Sequence, residues 1–265
     1  MNGGIFSLNK VTYTFSTGEN LFRDLDLEIN AGESISLLGA NGSGKSSLLK
    51  LLCGLIFPSQ GSFLAFGKQV AEETFEKDSF SKEYHRRVGF VFQNSDVQLF
   101  TNRVWDEIAF GPLQLGYSFN EAQRRVDDVI DLLNIKNLSE RSPYRLSGGE
   151  KKKVAFASVL VMNPEVLIMD EPTNGLDPKT QRWLTDLLLQ LNGSGRTIIT
   201  ATHNLELAHA ISRRALVLSE EHQLVCDGDT RDILGNRELL SGVNLIDEYT
   251  HVHENHEHTH RFIHS

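Results

Sequence analysis

Cysteine is nearly absent from this chain. Only Cys53 and Cys226 occur in 265 residues, each in apolar surroundings and without a partner at metal-ligand spacing. They read as small core residues of a reducing compartment, not as a disulfide. Long apolar runs are missing too: none approaches the roughly 18 residues of a spanning helix. The opening MNGGIFSLNK has neither the basic flank nor the apolar segment of a secretory signal. Positive charge is in short supply, with a formal net charge of −9 when His is neutral. Such a chain is repelled by a nucleic-acid backbone, so no nucleic-acid partner is expected. The one basic run, Lys151-Lys152-Lys153, opens a predicted helix and reads as a solvated face.

What is present is alternation. The length suits one large α/β domain, or one with an inserted lobe. ESISLLGA (33–40), EVLIMD (165–170) and RTIITATH (196–203) read as buried strands. Helical periodicity follows over 45–56, with apolar residues at 48, 49, 52, 55 and 56. It returns at Leu184, Leu187, Leu188 and Leu191, and ALVLS (215–219) with HQLVCDG (222–228) reads as a closing strand pair. Strands alternating with helices predict a parallel sheet covered by helices. The stretch 95–145 is mostly helical, with Val126, Val129, Ile130 and Leu133 behind an Asn120 cap. The expected division is therefore an α/β core over 1–94 and 146–230, a helical lobe at 95–145, and an extension at 231–265. The end of that extension, THVHENHEHTHRFIHS (250–265), is compositionally biased and is expected to be disordered.

The chemistry begins at GANGSGKSS, residues Gly39, Ala40, Asn41, Gly42, Ser43, Gly44, Lys45, Ser46 and Ser47. Residues 39–46 fit G-x-x-x-x-G-K-[ST] between a strand and a helix. The glycines let backbone N–H groups wrap phosphate, Lys45 reaches the β/γ oxygens, and the Ser46 hydroxyl suits Mg²⁺. Asp170 ends a hydrophobic strand, where a carboxylate can hold Mg²⁺. Glu171 follows it and can face an attacking water as general base. An isolated Asp-Glu pair is equally a strand-end charge, but here a phosphate loop accompanies it. His203, at the end of the next strand, lies on the edge where α/β sheets bind ligands, within expected reach of a γ-phosphate. Gln93, at the end of VFQN, has an amide able to touch both metal and water; taken alone, it supports either reading. A second anion cradle stands at RLSGGEKKKV (145–154), a Ser and two Gly ahead of a helix-forming run.

These motifs, in this order and at this spacing, resemble those of the ATP-binding-cassette ATPases over about residues 5–230. LSGGE (146–150) is the discriminating element. The resemblance implies a phosphate-loop α/β fold with an inserted helical subdomain, hydrolysing ATP to ADP and phosphate with Mg²⁺. It implies Glu171, His203 and Gln93 as catalytic groups, and Ser46, Gln93 and Asp170 as Mg²⁺ ligands. It also implies a head-to-tail dimer in which Ser147, Gly148, Gly149 and Glu150 cap the nucleotide held by the other subunit. One lysine then serves two cradles. Asp177 falls at the dimer interface by the same resemblance, and Phe15 stacks on adenine, with Tyr13 the second choice.

VFQNSDVQLF (91–100), VWDEIAFGPLQLG (104–116), Glu150 after the signature and Ser158 are similar to the energy-coupling-factor branch, especially its cobalt and nickel importers. That resemblance implies a peripheral subunit on the cytoplasmic face of the cell membrane. Its partners would be a second copy or a paralogue, a transmembrane scaffold and a substrate-binding membrane subunit. The tail histidines His251, His253, His256, His258 and His260, with His264 beyond, are candidate ligands for Ni²⁺, Co²⁺ or Zn²⁺. Three alternatives stand beside this reading: vitamin uptake by the same machine, a soluble cassette acting on DNA or ribosomes, and metal storage centred on the tail.

Overall fold

The structure is a computed structural model; it describes residues 4–253 and 256–263, with side chains described from Gly4 to Ile246. In chain order the elements are β1 (Gly4–Thr14), β2 (Asn20–Asn30), β3 (Ser34–Leu38), α1 (Lys45–Leu52), β4 (Gln60–Ala65), β5 (Lys68–Gln69), α2 (Glu72–Phe75), α3 (Asp78–Arg87) and β6 (Val88–Val91). The helical stretch holds α4 (Ser95–Gln98), α5 (Val104–Gln114) and α6 (Phe119–Leu132), followed by two short 3₁₀ turns. Then come α7 (Gly148–Leu160), β7 (Val166–Asp170), α8 (Pro178–Gly193), β8 (Thr197–Ala201), α9 (Leu205–Ile211), β9 (Arg214–Leu218) and β10 (Leu224–Asp229). The chain closes with α10 (Thr230–Gly235), α11 (Arg237–Gly242), β11 (Ile246–His253) and β12 (His256–Ile263).

The larger sheet has the strand order β10-β9-β3-β8-β7-β6. Its pairs β3–β9 and β6–β7 are parallel, and β10 closes on β9 antiparallel, the expected strand pair. Every residue of β3, β7 and β8 is buried, which is why these strands read as continuous apolar runs instead of alternating ones. Two compact units divide the chain, residues 1–71 with 199–265, and residues 72–198. The whole of 95–145 lies in the second unit, together with β6, β7, α7 and α8.

Several expectations need correction. A second sheet, β2-β1-β4-β5, is antiparallel throughout and was not anticipated. Its signal was present in the alternation Leu25, Leu27, Ile29, all buried. The helix after the phosphate loop stops at Leu52, so Leu55 lies beyond it and is exposed. The cap of α6 is Ser118, whose side chain accepts from the Glu121 N–H; Asn120 is inside the helix. The face behind that cap is as expected, since Val126, Val129, Ile130 and Leu133 are all buried. Past residue 230, α10 and α11 pack Ile233 and Leu240 into a core with Leu38, Ala208 and Val217. The tail expected to be disordered instead forms the hairpin β11–β12. Its first residue, Ile246, packs on that same core, which supplies the apolar anchor missed in the sequence.

Candidate functional site

In the first unit the phosphate loop leaves β3 and enters α1. Gly39 takes φ +154, and a Cβ there would lie 2.5 Å from Ser43 Oγ and 2.7 Å from the Leu218 carbonyl. Only glycine fits this bend. Gly44 is the N-cap of α1, without a side-chain cap and without an acidic residue in the first turn. The orphan N–H groups and the positive helix end are thus left for an anion. Lys45 is buried, and its Nζ donates to the carbonyls of Gly39 (2.6 Å) and Ala40 (3.0 Å), holding the ammonium across the loop. Ser43 Oγ is buried with no hydrogen-bond partner. A buried unpaired hydroxyl costs about 1–3 kcal/mol, and a phosphate oxygen would satisfy it. Ser46 is exposed, Ser47 half-buried and Asn41 exposed on the loop.

His203 stands two residues past the end of β8, where Thr202 N donates to the Leu37 carbonyl at 3.0 Å. Leu37 belongs to β3, two residues before Gly39, so His203 and the start of the phosphate loop share one sheet edge. Phe15, in the turn after β1, is exposed and meets Tyr13 edge-on at 5.4 Å. Either ring is available to a planar ligand.

In the second unit β6 and β7 run parallel, with Val91 level with Met169. Gln93 and Glu171 each follow two residues later, at the carboxyl edge of that pair. Asp170 and Glu171 are buried. Glu171 adopts φ +41, an unusual conformation for a residue with a Cβ, and its carbonyl accepts from Asn174 N at 3.2 Å. Local backbone strain of this kind costs about 1–3 kcal/mol and concentrates at functional positions. It turns Glu171 away from the direction in which a continuing strand would have carried it.

The basic run at 151–153 is not a solvated face. Lys152 is buried, and its Nζ donates to the Gln93 carbonyl at 3.0 Å and, more weakly, to that of Phe92 at 3.4 Å. Burial pushes its ammonium down to about 8. Lys151 pairs with Asp96, and Lys153 lies over the Trp183 ring. Helix α7 therefore grips the segment after β6. Gln98 adds to the grip, its Nε2 donating to the Ala155 carbonyl (2.8 Å) and Ser158 Oγ (3.0 Å). Glu107 is buried and accepts from Phe100 N and Thr101 N at 3.0 and 2.8 Å. These positioning groups escaped sequence reasoning, although Glu107 carried a signal: it sits beside Val104 and Ile108 on the buried face of α5.

The signature is a helix start, as expected. Ser147 caps α7 and forms a capping box with Glu150. The Glu150 carboxylate accepts from Ser147 N and Oγ, both at 2.9 Å, and these bonds hold its carboxyl below the usual range. Ser147 and Gly148 are exposed. A Cβ on Gly149 would meet Thr180 Oγ1 at 2.8 Å, so glycine lets the start of α7 lie against the start of α8. Asp177 caps α8, accepting from Lys179 N, Thr180 N and Thr180 Oγ1, and the Thr180 bonds hold its carboxyl low. The signature and Asp177 thus share one surface of this unit.

The ABC transporter family profile matches residues 22–174, the phosphate loop and Asp170-Glu171 included. The chain belongs to the ABC transporter family. It has the mixed α/β phosphate-loop fold of that family and is an ABC-type ATPase. A Methanosarcina acetivorans protein of the ABC transporter ATP-binding type is 50% identical over 95% of this chain and 92% of its own. The nickel import ATP-binding protein LarO of Lactiplantibacillus plantarum is 46% identical over 80% of this chain and 88% of its own. Among solved structures, cbiO1 from Clostridium perfringens, described as part of the ABC transporter complex cbiONQ, superimposes with a TM-score of 0.79. That likeness has 32% identity and covers 92% of this chain and 95% of the other. Among the described residues of the ABC protein no helix is long and apolar enough to cross a membrane.

Proposed function

We propose that this ABC ATPase powers uptake of cobalt or nickel ions as a peripheral subunit of an energy-coupling importer on the cytoplasmic face of the membrane. The observation that carries the substrate class is the 46% identity, over most of both chains, to a protein named for nickel import. The likeness to a component of cbiONQ supports the energy-coupling architecture. Within the chain, the residues that mark this branch in the sequence meet physically, because Gln98 of the 91–100 segment bonds to Ser158.

In this reading Gly39 to Ser47 wrap the triphosphate of ATP through backbone N–H groups, with Lys45 on the β/γ oxygens. Phe15 stacks on adenine. The Ser46 hydroxyl, the Gln93 amide oxygen and the Asp170 carboxylate form an all-oxygen donor set, which suits Mg²⁺. The ion, when bound, neutralises charge on the phosphate oxygens. Glu171 accepts a proton from the attacking water, and His203 donates to the γ-phosphate. Two chains, or one chain and a paralogue, associate head to tail, each presenting Ser147, Gly148 and Gly149 to the partner's nucleotide with Asp177 beside them. The membrane scaffold docks on 94–115, where Val97, Phe100, Phe110 and Leu113 are exposed and the Phe100 and Phe110 rings meet edge-on at 4.8 Å. Loss of affinity for water, not charge, drives such a contact.

Accumulation of radioactive Ni²⁺ and Co²⁺ in cells lacking the chain tests the reading. Uptake should return with the wild-type chain and not with Glu171→Gln, for which hydrolysis should fall about 10²–10⁴-fold. Normal metal uptake without the chain, with loss of a vitamin's uptake instead, would assign the same machine to the vitamin.

A further inference from the structure

The tail histidines His251, His253, His256, His258 and His260 have side chains outside the described ones; the chemistry still to be explained stands in α7. This helix carries the signature at its start and holds the segment 92–98 along one face. Lys151, Lys152, Ala155 and Ser158 fall within about a third of the helix circumference. Lys151 pairs with Asp96, Lys152 Nζ donates to the Phe92 and Gln93 carbonyls, and the Ala155 carbonyl and Ser158 hydroxyl accept from Gln98. Gln98 in turn accepts from Phe92 N at 3.2 Å. A Cβ on Gly89 of β6 would lie 2.4 Å from Val159 Cγ1, so α7 rests directly on that strand.

Within that grip Lys152 is the costly member. It is 2% exposed, and lysine is seldom fully buried unless paired. Its helix neighbours Val154, Ala155 and Phe156 are buried and apolar, so a methionine there would avoid the desolvation that an ammonium costs. What the ammonium adds is a fixed donor. Strand β6 ends the order of its sheet, and no further strand orders the backbone on its outer side among the described residues. We propose that Lys152 is a positioning residue for Gln93: by holding the Phe92 and Gln93 carbonyls, it fixes where the Gln93 amide points. The role rests on the proposed contact of Gln93 with Mg²⁺ and the attacking water, and Lys152 itself touches neither. It acts through the backbone of residue 93, and it ties that backbone to the helix that starts at Ser147. A misplacement of about 1 Å can cost about 10²-fold in rate, so loss of the ammonium is read in turnover and not in ATP binding.

Lys152→Met in the full chain, which fills the space without a donor, provides the test. Without nucleotide, amide hydrogen exchange over 92–98 should be faster than in wild type, a readout independent of turnover. ATP binding by the single chain and KM should stay within about twofold, while kcat falls about 10- to 100-fold, the range for outer partners of a metal ligand. In a Gln93→Ala background the same substitution should slow hydrolysis no further, because residues that act through one another are not additive. Should Lys152→Met not fold, Lys152→Gln carries the same expectations. Unchanged exchange over 92–98, ATP binding lost by a folded variant, or a double variant slowed by the product of the two single effects each overturns the positioning role. Wild-type turnover by Gln93→Ala would take Gln93 out of the ATP site, and the role of Lys152 with it. Slow turnover by Gln93→Ala beside wild-type turnover by Lys152→Met would leave Gln93 in place and remove Lys152 alone.

Discussion

Two helix starts in this chain look alike in sequence and differ in what fills their first turn. Helix α1 begins at a glycine cap with no acid nearby, and the loop ahead of it keeps the buried Ser43 hydroxyl unpaired. Helix α7 begins with a complete capping box, its positive end already faced by the Glu150 carboxylate. The first is an open anion cradle with its own lysine. The second is a finished helix end whose exposed Ser147 and Gly148 can add to an anion brought by another chain. Sequence similarity between the two glycine-rich segments thus hides a structural difference: one helix start is left open, the other is already capped.

The sharpest way to break that comparison is to disable each start in turn. Lys45→Ala should weaken ATP binding by about 10- to 150-fold for each charge-assisted hydrogen bond lost, read by fluorescent-nucleotide titration. Ser147→Arg should leave ATP binding to the single chain within about twofold yet abolish hydrolysis, because in the proposed dimer the signature acts on the partner's nucleotide. Mixing the two variants should restore hydrolysis, since a sound loop from one meets a sound signature from the other. Lost nucleotide binding by Ser147→Arg alone would return the signature to its own chain's site.

A smaller effect tests the capping box. Glu150→Ala should cost about 1 kcal/mol of stability in urea unfolding, whereas Glu150→Gln, which preserves the box, should change it by only a few tenths near pH 7. The two wild-type bonds from Ser147 lower the Glu150 carboxyl in the folded chain. Their contribution is therefore present above the unfolded value of about 4.3 and is lost as pH falls through the lower folded value. Wild type should lose this increment on acidification, and Glu150→Gln should not. Equal acid sensitivity of the two proteins would remove Glu150 from the account of α7.

Residue spacing made much of the site legible. GANGSGKSS, LSGGE and VLIMDE each combine a local backbone requirement with a local charge, and such requirements are written within a few neighbouring positions. The central strands were legible for a related reason: burial on both faces leaves an unbroken apolar run. Lys152 was misread because a lysine's sequence neighbours do not reveal that its ammonium ends on the Gln93 carbonyl, 59 residues away. Gln98 and Glu107 were missed on the same ground. The tail was misread as disordered because its anchor is not in the tail: Ile246 packs on a core that includes Leu38, Val217 and Leu240.

The sequence by itself determined the family, the phosphate loop, the order of strands and helices that carries it, and the histidine-rich composition of the tail. These are properties of short segments, fixed by sterics, helix ends and strand periodicity. Only the tertiary structure decided that Glu171 turns through a left-handed backbone and that α7 grips the segment after Gln93. Each of those outcomes depends on which distant groups meet. Desolvation and hydrogen-bond satisfaction act on the folded neighbourhood, and the order of residues along the chain does not contain it.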